Sequence, residues 1–149
     1  MQADRPSNMR TRMAAALLSL AGLFVSLYLY LYKLGYIGTL ACGTGGCETV
    51  QFSSYSRFLG IEVPLLGLVG YAALLGLSIL ALQQPGSARW PGLLRLLTGG
   101  GLGFTIYLTY LELFVIHAIC RWCVGSAVIM LLLFIAALFM RAETETATA

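Results

Sequence analysis

Long apolar runs separated by short polar segments dominate the chain. Two runs carry no charged residue, Met13 to Tyr32 and Val63 to Leu82. A third lies within Leu93 to Ile119, and a fourth extends from about Trp122 to Met140. Because a membrane-spanning helix needs about 20 mostly apolar residues, the pattern predicts an all-α membrane protein, a bundle of four transmembrane helices.

The amino-acid composition also indicates a membrane protein. Hydrophobic residues make up 59% of the 149 residues and charged residues only 10%, which excludes an ordinary soluble domain. The sequence contains no phosphate-binding loop, no serine-histidine-acid arrangement and no nucleic-acid signature. The lipid bilayer is therefore the predicted environment, and we expect no nucleic-acid partner.

The basic residues predict the orientation of the bundle. Basic residues near the ends of spans collect on the cytoplasmic side. If the N-terminus is cytoplasmic, that side holds six of them and the other side three: Arg5, Arg10, Arg12, Arg89, Arg95 and Arg141 against Lys33, Arg57 and Arg121. We expect cytoplasmic tails at residues 1–12 and 141–149, and a four-helix domain at 13–140 in the cell (inner) membrane.

The four cysteines fall in two connections that face the same compartment. Cys42 and Cys47 lie in the glycine-rich stretch "LACGTGGCETV" after the first span, and Cys120 and Cys123 lie between the third span and the fourth. With a cytoplasmic N-terminus both pairs are extracytoplasmic, where disulfides form and persist. The stretch "ETVQFSSYSRFLG" after the loop pair predicts a short amphipathic helix on the membrane surface, between helices 1 and 2.

The two pairs suit thiol exchange better than they suit cross-linking. "CRWC" opens the fourth helix, and a helix N-terminus lowers the pKa of a cysteine. A disulfide closing such a small ring stabilises by only about 2 kcal/mol. Two alternatives stay open on the residues alone. The chain could be a non-enzymatic membrane protein, such as a small transporter or scaffold with structural disulfides, or the four thiolates could hold zinc.

Other polar and small residues within the spans are less decisive. Glu112 and His117 precede "CRWC", and both are compatible with the headgroup zone or with a functional role. The spacing of Gly67 with Gly70, and of Gly99 with Gly103, indicates close approach of helices rather than a binding loop.

Two longer stretches carry a resemblance to a known family. They are "CETVQFSSYSRFLGIEVPLLGLVGY", which begins at the second loop cysteine, and "YLELFVIHAICRWCVGSA" around the second pair. From about Leu17 to Met140 the chain resembles the bacterial branch of the vitamin K epoxide reductase family. The DsbB type of thiol oxidase also has four spans and two cysteine pairs, but in the reverse order.

The resemblance implies a quinone-linked thiol–disulfide oxidoreductase. A separate thioredoxin-like (DsbA-like) extracytoplasmic protein would give its electrons to the loop pair, and the helix pair would reduce a membrane quinone. By the same resemblance, Cys42 would contact the partner, Cys47 would attack Cys120, and Cys123 would face the quinone. Ser53 and Ser126 are further candidates for the quinone site or for local hydrogen bonding, and no metal is expected.

Two departures from the family pattern affect this expectation. Glu62 stands where the family usually has proline, so the start of the second helix is expected to differ. Ala127 stands where the vertebrate enzymes have a tyrosine, so the groups that hydrogen-bond the quinone are not identified by the resemblance.

Overall fold

Four long helices form the protein in the computed structural model, which describes residues 4–36, 57–84 and 89–140. They are α1 (Asp4–Leu34), α2 (Val63–Gln83), α3 (Arg89–Tyr110) and α4 (Arg121–Phe139). A π-helix, Leu111–Ile116, continues α3. All four are long and apolar enough to cross a membrane. The predicted fold class is confirmed, and the chain is a multi-pass membrane protein.

Helix α1 begins well before the predicted first span. Its helical backbone starts at Asp4, and the part long and apolar enough to span a membrane starts at Met9. Hydropathy detects burial in lipid, whereas a helix needs only its own backbone hydrogen bonds. As a result, Arg12 belongs to the bundle and is fully buried.

A β-hairpin precedes α2. Strand β1 (Arg57–Phe58) pairs with the antiparallel strand β2 (Ile61–Glu62). The turn residues Leu59 and Gly60 both have positive φ, as a tight two-residue hairpin turn of type I′ requires. The predicted interfacial helix therefore does not extend over residues 57–60, and the rest of that stretch lies outside the described residues.

The hairpin leads directly into α2. The helix begins at Val63, and Pro64 stands in its first turn, where its fixed φ favours helix and its missing N–H costs nothing. Glu62 occupies the N-cap without a side-chain capping hydrogen bond. Phe58 packs edge-on against Phe104 and Tyr107 of α3 with ring centroids 5.4 and 6.5 Å away. The hairpin thereby lies against the second half of α3.

The helices pack as a closed ring, α1 beside α2 and α4, and α3 beside α2 and α4. At one end of the bundle, α1 and α3 each carry an arginine that donates to carbonyl oxygens near the C-terminal end of a neighbouring helix. Arg12 of α1 donates to Ala81 O of α2. Arg95 of α3 donates to Met140 O and, at 2.9 Å, to Ala137 O of α4. Neighbouring helices are thus antiparallel, and both ties occupy one end of the bundle.

Three hydroxyl groups in the interior are satisfied within their own helices. Buried hydroxyls of Ser19, Ser78 and Thr98 donate to carbonyls four residues earlier, at 2.6 to 2.8 Å, which satisfies them without water. The aliphatic core around them includes Leu74, Leu94, Met130, Leu133 and Ala137.

Candidate active site

The helix pair of cysteines lies at the opposite end from the arginine ties. Cys120 is the N-cap of α4, with extended backbone at φ −95° and ψ 115°, and Cys123 lies in the first turn. Cys120 is fully buried and packs with Leu29 and Tyr32 of α1. Both cysteines are thiols rather than a disulfide in the structure. The spacing in "CRWC" therefore places two thiols beside each other, one before the helix and one on it.

The surroundings of Cys120 favour its thiolate. The pKa of Cys120 is lowered, first because the Cys123 side chain is hydrogen-bonded to it. The backbone amides of Cys123 and Trp122 add to this effect, although Cys120 makes no side-chain capping hydrogen bond. Burial and the negative charge of Glu112 act in the opposite direction. Since a thiol of lower pKa is released faster from a mixed disulfide, Cys120 is suited to disulfide exchange as the thiolate that departs.

Glu112 lies against both cysteines. The π-helix that carries it ends at His117, which adopts the left-handed conformation at φ 57°. The chain turns back there, and Ala118 N–H donates to Glu112 O at 3.1 Å. As a result Cys120 N–H donates to Glu112 Oε2 at 3.1 Å, and the Cys123 side chain is hydrogen-bonded to the same carboxyl group. Glu112 is buried, whereas His117 is exposed on the outside of the turn.

A cavity of about 170 Å³ opens beside this cluster, between the four helices. Its wall is mostly aliphatic and aromatic, with a few hydroxyl groups. Cys123 and Glu112 contribute to the wall, whereas Cys120 does not. An apolar cavity with a small number of polar groups is the usual form of a small-molecule site.

Two hydroxyl groups meet on the cavity wall. Tyr71 OH lies 2.8 Å from Ser126 Oγ and donates to Ser126 O at 2.9 Å. The contact joins α2 to α4 diagonally across the ring. The Tyr71 side chain can cross there because Gly22 of α1 has no Cβ, and any Cβ at that position would overlap the tyrosine ring. Ser126 is one turn after Cys123, so the hydroxyl pair and the thiol line the same cavity.

The family model of the vitamin K epoxide reductase family matches residues 13–138. The chain belongs to the vitamin K epoxide reductase family. The match covers all four spans and the whole of the thiol cluster and cavity. Membership makes the chain a membrane thiol–disulfide oxidoreductase in the broad sense, in a family whose members use quinone-type electron acceptors.

In this vitamin K epoxide reductase family member, the structure brings together three of the site residues predicted from the sequence. Cys120, Cys123 and Ser126 lie within the first two turns of α4 or just before it. Cys42, Cys47 and Ser53, the other predicted site residues, lie outside the described residues. Among the residues that the structure describes, no group of three or more potential metal ligands is found.

The cavity of this family member offers apolar side chains and hydroxyl groups, the two kinds of group that a quinone ring and its carbonyl oxygens would contact. Apolar residues of α2 and α3 line it, and Tyr71 and Ser126 carry hydroxyl groups that could hydrogen-bond a carbonyl oxygen. A bound quinone would supply a two-electron, two-proton acceptor. Sequence reasoning missed Tyr71, because a tyrosine within an apolar run has no local signal and its partner is 55 residues away. For Glu112, it left the choice between interface and function open.

Proposed function

We propose that the protein oxidises an extracytoplasmic thioredoxin-like protein and passes the electrons through two cysteine pairs to a membrane quinone, supporting disulfide bond formation. In this proposal the termini are cytoplasmic and all four cysteines extracytoplasmic, in the cell membrane. The quinone belongs to the ubiquinone and menaquinone class. The thioredoxin-like partner is a separate chain.

The different positions of the two helix cysteines carry the proposal. Cys120 precedes α4 and has a lowered pKa, while Cys123 contributes to the cavity wall inside the bundle. A sulfur that must be released from a mixed disulfide leaves faster when the pKa of its thiol is low, whereas a thiol that reduces a lipid-soluble acceptor needs contact with an apolar site. The pair meets both requirements across a single turn of helix.

The exchange steps balance as follows. The partner's dithiol reduces the Cys42–Cys47 disulfide and becomes a disulfide itself. A Cys47 thiolate then attacks the Cys120–Cys123 disulfide at Cys120, forming a mixed disulfide and releasing Cys123 as a thiol. Cys42 resolves the mixed disulfide, which leaves the helix pair reduced. Two electrons and two protons have then moved to Cys120 and Cys123, ready for transfer to the acceptor.

The decisive experiment follows quinone absorbance after a reduced thioredoxin-like dithiol protein is added to the purified protein in detergent. We expect turnover by the wild type. Cys123→Ala should lose it while still forming a mixed disulfide with the partner, because only the thiol on the cavity wall has been removed. Ser78→Ala removes a buried side-chain atom of α2 away from the cavity wall, and should keep turnover.

Two results would contradict the proposal. Full quinone turnover by Cys123→Ala would remove the role given to that thiol. A wild-type protein that reduces none of several quinones, with its cysteines still disulfide-bonded after exposure to the dithiol partner, would favour a membrane protein with structural disulfides.

A further inference from the structure

Glu112 is a carboxyl group held inside the bundle, close to both helix cysteines. Its residue is only 5% exposed. Among the described residues it forms no ion pair, and its side chain contacts Cys120 N–H and the Cys123 thiol. Ionisable groups at such positions are costly and are usually kept for function. The arrangement therefore calls for a reason beyond packing.

Accepting the Cys120 N–H is not a sufficient reason. A glutamine has the same length and the same carbonyl acceptor, and it carries no charge to bury. What glutamine lacks is the ability to take up a proton. The contact with Cys120 N–H thus explains a hydrogen-bond acceptor at position 112, but it does not explain an ionisable one. A role in which the buried carboxyl group takes up a proton does.

The position of the carboxyl group supplies that role. It touches the Cys123 thiol on one side and contributes to the cavity wall on the other. Cys123 loses its proton whenever the dithiol is oxidised, and the cavity is where we place the acceptor that needs protons. The described titratable groups around Glu112 are the two cysteines and, across the cavity, Tyr71, whose hydroxyl already donates to Ser126.

We propose that Glu112 is a catalytic proton acceptor, which takes the proton of the Cys123 thiol during its oxidation and releases it into the cavity. The inference rests on the proposed function. Forming the Cys120–Cys123 bond breaks two S–H bonds and gives up two electrons and two protons. Both electrons and one proton, the one carried by Glu112, enter the cavity. The Cys120 proton goes to water, and a proton from water completes the hydroquinone.

The test separates proton transfer from thiolate formation. Cys42 and Cys47 are replaced by alanine so that only the helix pair titrates, and the pre-reduced protein is mixed with a short-chain quinone. Glu112→Gln should slow quinone reduction by about 10²- to 10⁴-fold, the usual contribution of general acid–base catalysis. Glu112→Asp keeps a carboxyl group and should be at least about tenfold faster than Glu112→Gln.

The second readout needs no quinone. The charge of Glu112 opposes the Cys120 thiolate, so Glu112→Gln should leave the thiolate ultraviolet absorbance of the reduced pair at neutral pH unchanged or higher. Quinone reduction would then fall in Glu112→Gln without any fall in thiolate content. The matched control is Glu62→Gln, a carboxylate 3.8 Å from Arg57 in the hairpin and absent from the cavity wall, which should change neither readout.

Three results would overturn the inference: Glu112→Gln as fast as the wild type, Glu112→Asp no faster than Glu112→Gln, or a loss of thiolate that parallels the loss of rate. The last would show that the carboxyl group only maintains the cysteine pair. If the unmodified pair reduces no quinone at all, the proposed function fails and the inference fails with it.

Discussion

At the scale of single residues, two identical side chains have different surroundings because of their positions around one helix end. Cys120 lies at the N-cap, where amide groups of the first turn favour a negative charge. Cys123, one turn on, faces the Glu112 carboxyl group and the apolar cavity. Under the proposed function this difference gives the pair a direction, with exchange at the first sulfur and contact with an apolar acceptor at the second.

The hydrogen bond between the two thiols should be visible in a titration. Its loss in Cys123→Ala removes the largest cause of the lowered Cys120 pKa. In a background lacking Cys42 and Cys47, thiolate absorbance should therefore rise at higher pH in Cys123→Ala than in the reduced wild-type pair. Cys123→Ser keeps a hydroxyl donor, and its midpoint should lie below that of Cys123→Ala. Coincident midpoints in the two variants would show that the thiol at position 123 does not lower the pKa.

At the scale of helices, one glycine determines how α2 reaches α4. The ring of Tyr71 crosses α1 at Gly22, and only the missing Cβ makes room for it. The tyrosine hydroxyl then reaches Ser126 on the far side of the ring of helices. Close approach through a small residue is common between membrane helices. Here the small residue accommodates a side chain that contributes to the cavity wall.

Alanine substitutions can test this contact within apolar helices. Gly22→Ala should destabilise by about 1–3 kcal/mol, the usual cost of overpacking, and should weaken quinone binding because Tyr71 must move away from Ser126. Thermal unfolding in detergent and the quinone concentration for half-maximal reduction measure the two effects. Gly76→Ala is the matched control, since a Cβ there meets open space. Equal behaviour of the two variants would exclude the steric role of Gly22.

At the scale of the whole molecule, the two ends of the bundle are built differently. One end is closed by Arg12 and Arg95, each bound to carbonyl groups at the C-terminal end of an antiparallel neighbour. Cations are favourable there, because the last carbonyls of a helix lack partners and carry a partial negative charge. The other end holds the thiols, the hairpin and the π-helix. The structural ties are thus remote from the thiol pair.

A comparison of Arg12 with Arg10 separates two contributions to stability: the hydrogen bond between helices and the positive charge itself. Arg12 is fully buried and bound to Ala81 O, whereas Arg10 is exposed. Arg12→Met should lower the free energy of unfolding by about 2 kcal/mol, as expected for a hydrogen bond to a charged group. Arg10→Met removes the same charge from the same end and should leave thermal unfolding nearly unchanged. Equal shifts in the two variants would assign the effect to charge alone.

The sequence was sufficient for the features that depend on local patterns. Apolar runs of the required length identified the four helices, and "CRWC" identified the thiol pair at the start of α4 because its spacing is set by one turn of helix. The N-terminal extension of α1 was not foreseen, since Arg12 is polar and its partner Ala81 is 69 residues away. Local hydropathy carries no information about such a contact.

Packing between the helices, which places both the glycines and the polar groups of the cavity, was harder to predict because local hydropathy carries no information about it. Of the glycines expected to allow close approach, Gly67 and Gly99 would bring a Cβ near Ser26 and Phe134, respectively, whereas Gly70 and Gly103 face open space. The sequence pattern did not identify Tyr71 as a cavity residue. The burial of Glu112 depends on a π-helix, which the spacing of apolar residues does not predict. Long-range packing and a local change of helix type determined these parts of the site.

The π-helix also makes the length of the chain before the thiol pair matter. Each residue of an α-helix adds about 100° of rotation, and a π-helical turn accommodates one residue more than an α-helical turn. Deleting one residue within Leu111–Ile116 would restore ordinary winding there and remove the wide turn from which Glu112 accepts the Cys120 N–H. A relative with such a one-residue gap would keep its span count, its hydropathy profile and all four cysteines, yet it would lack the wide turn that carries the acid. Among homologues, a gap of this size marks a change in the site rather than a shorter loop.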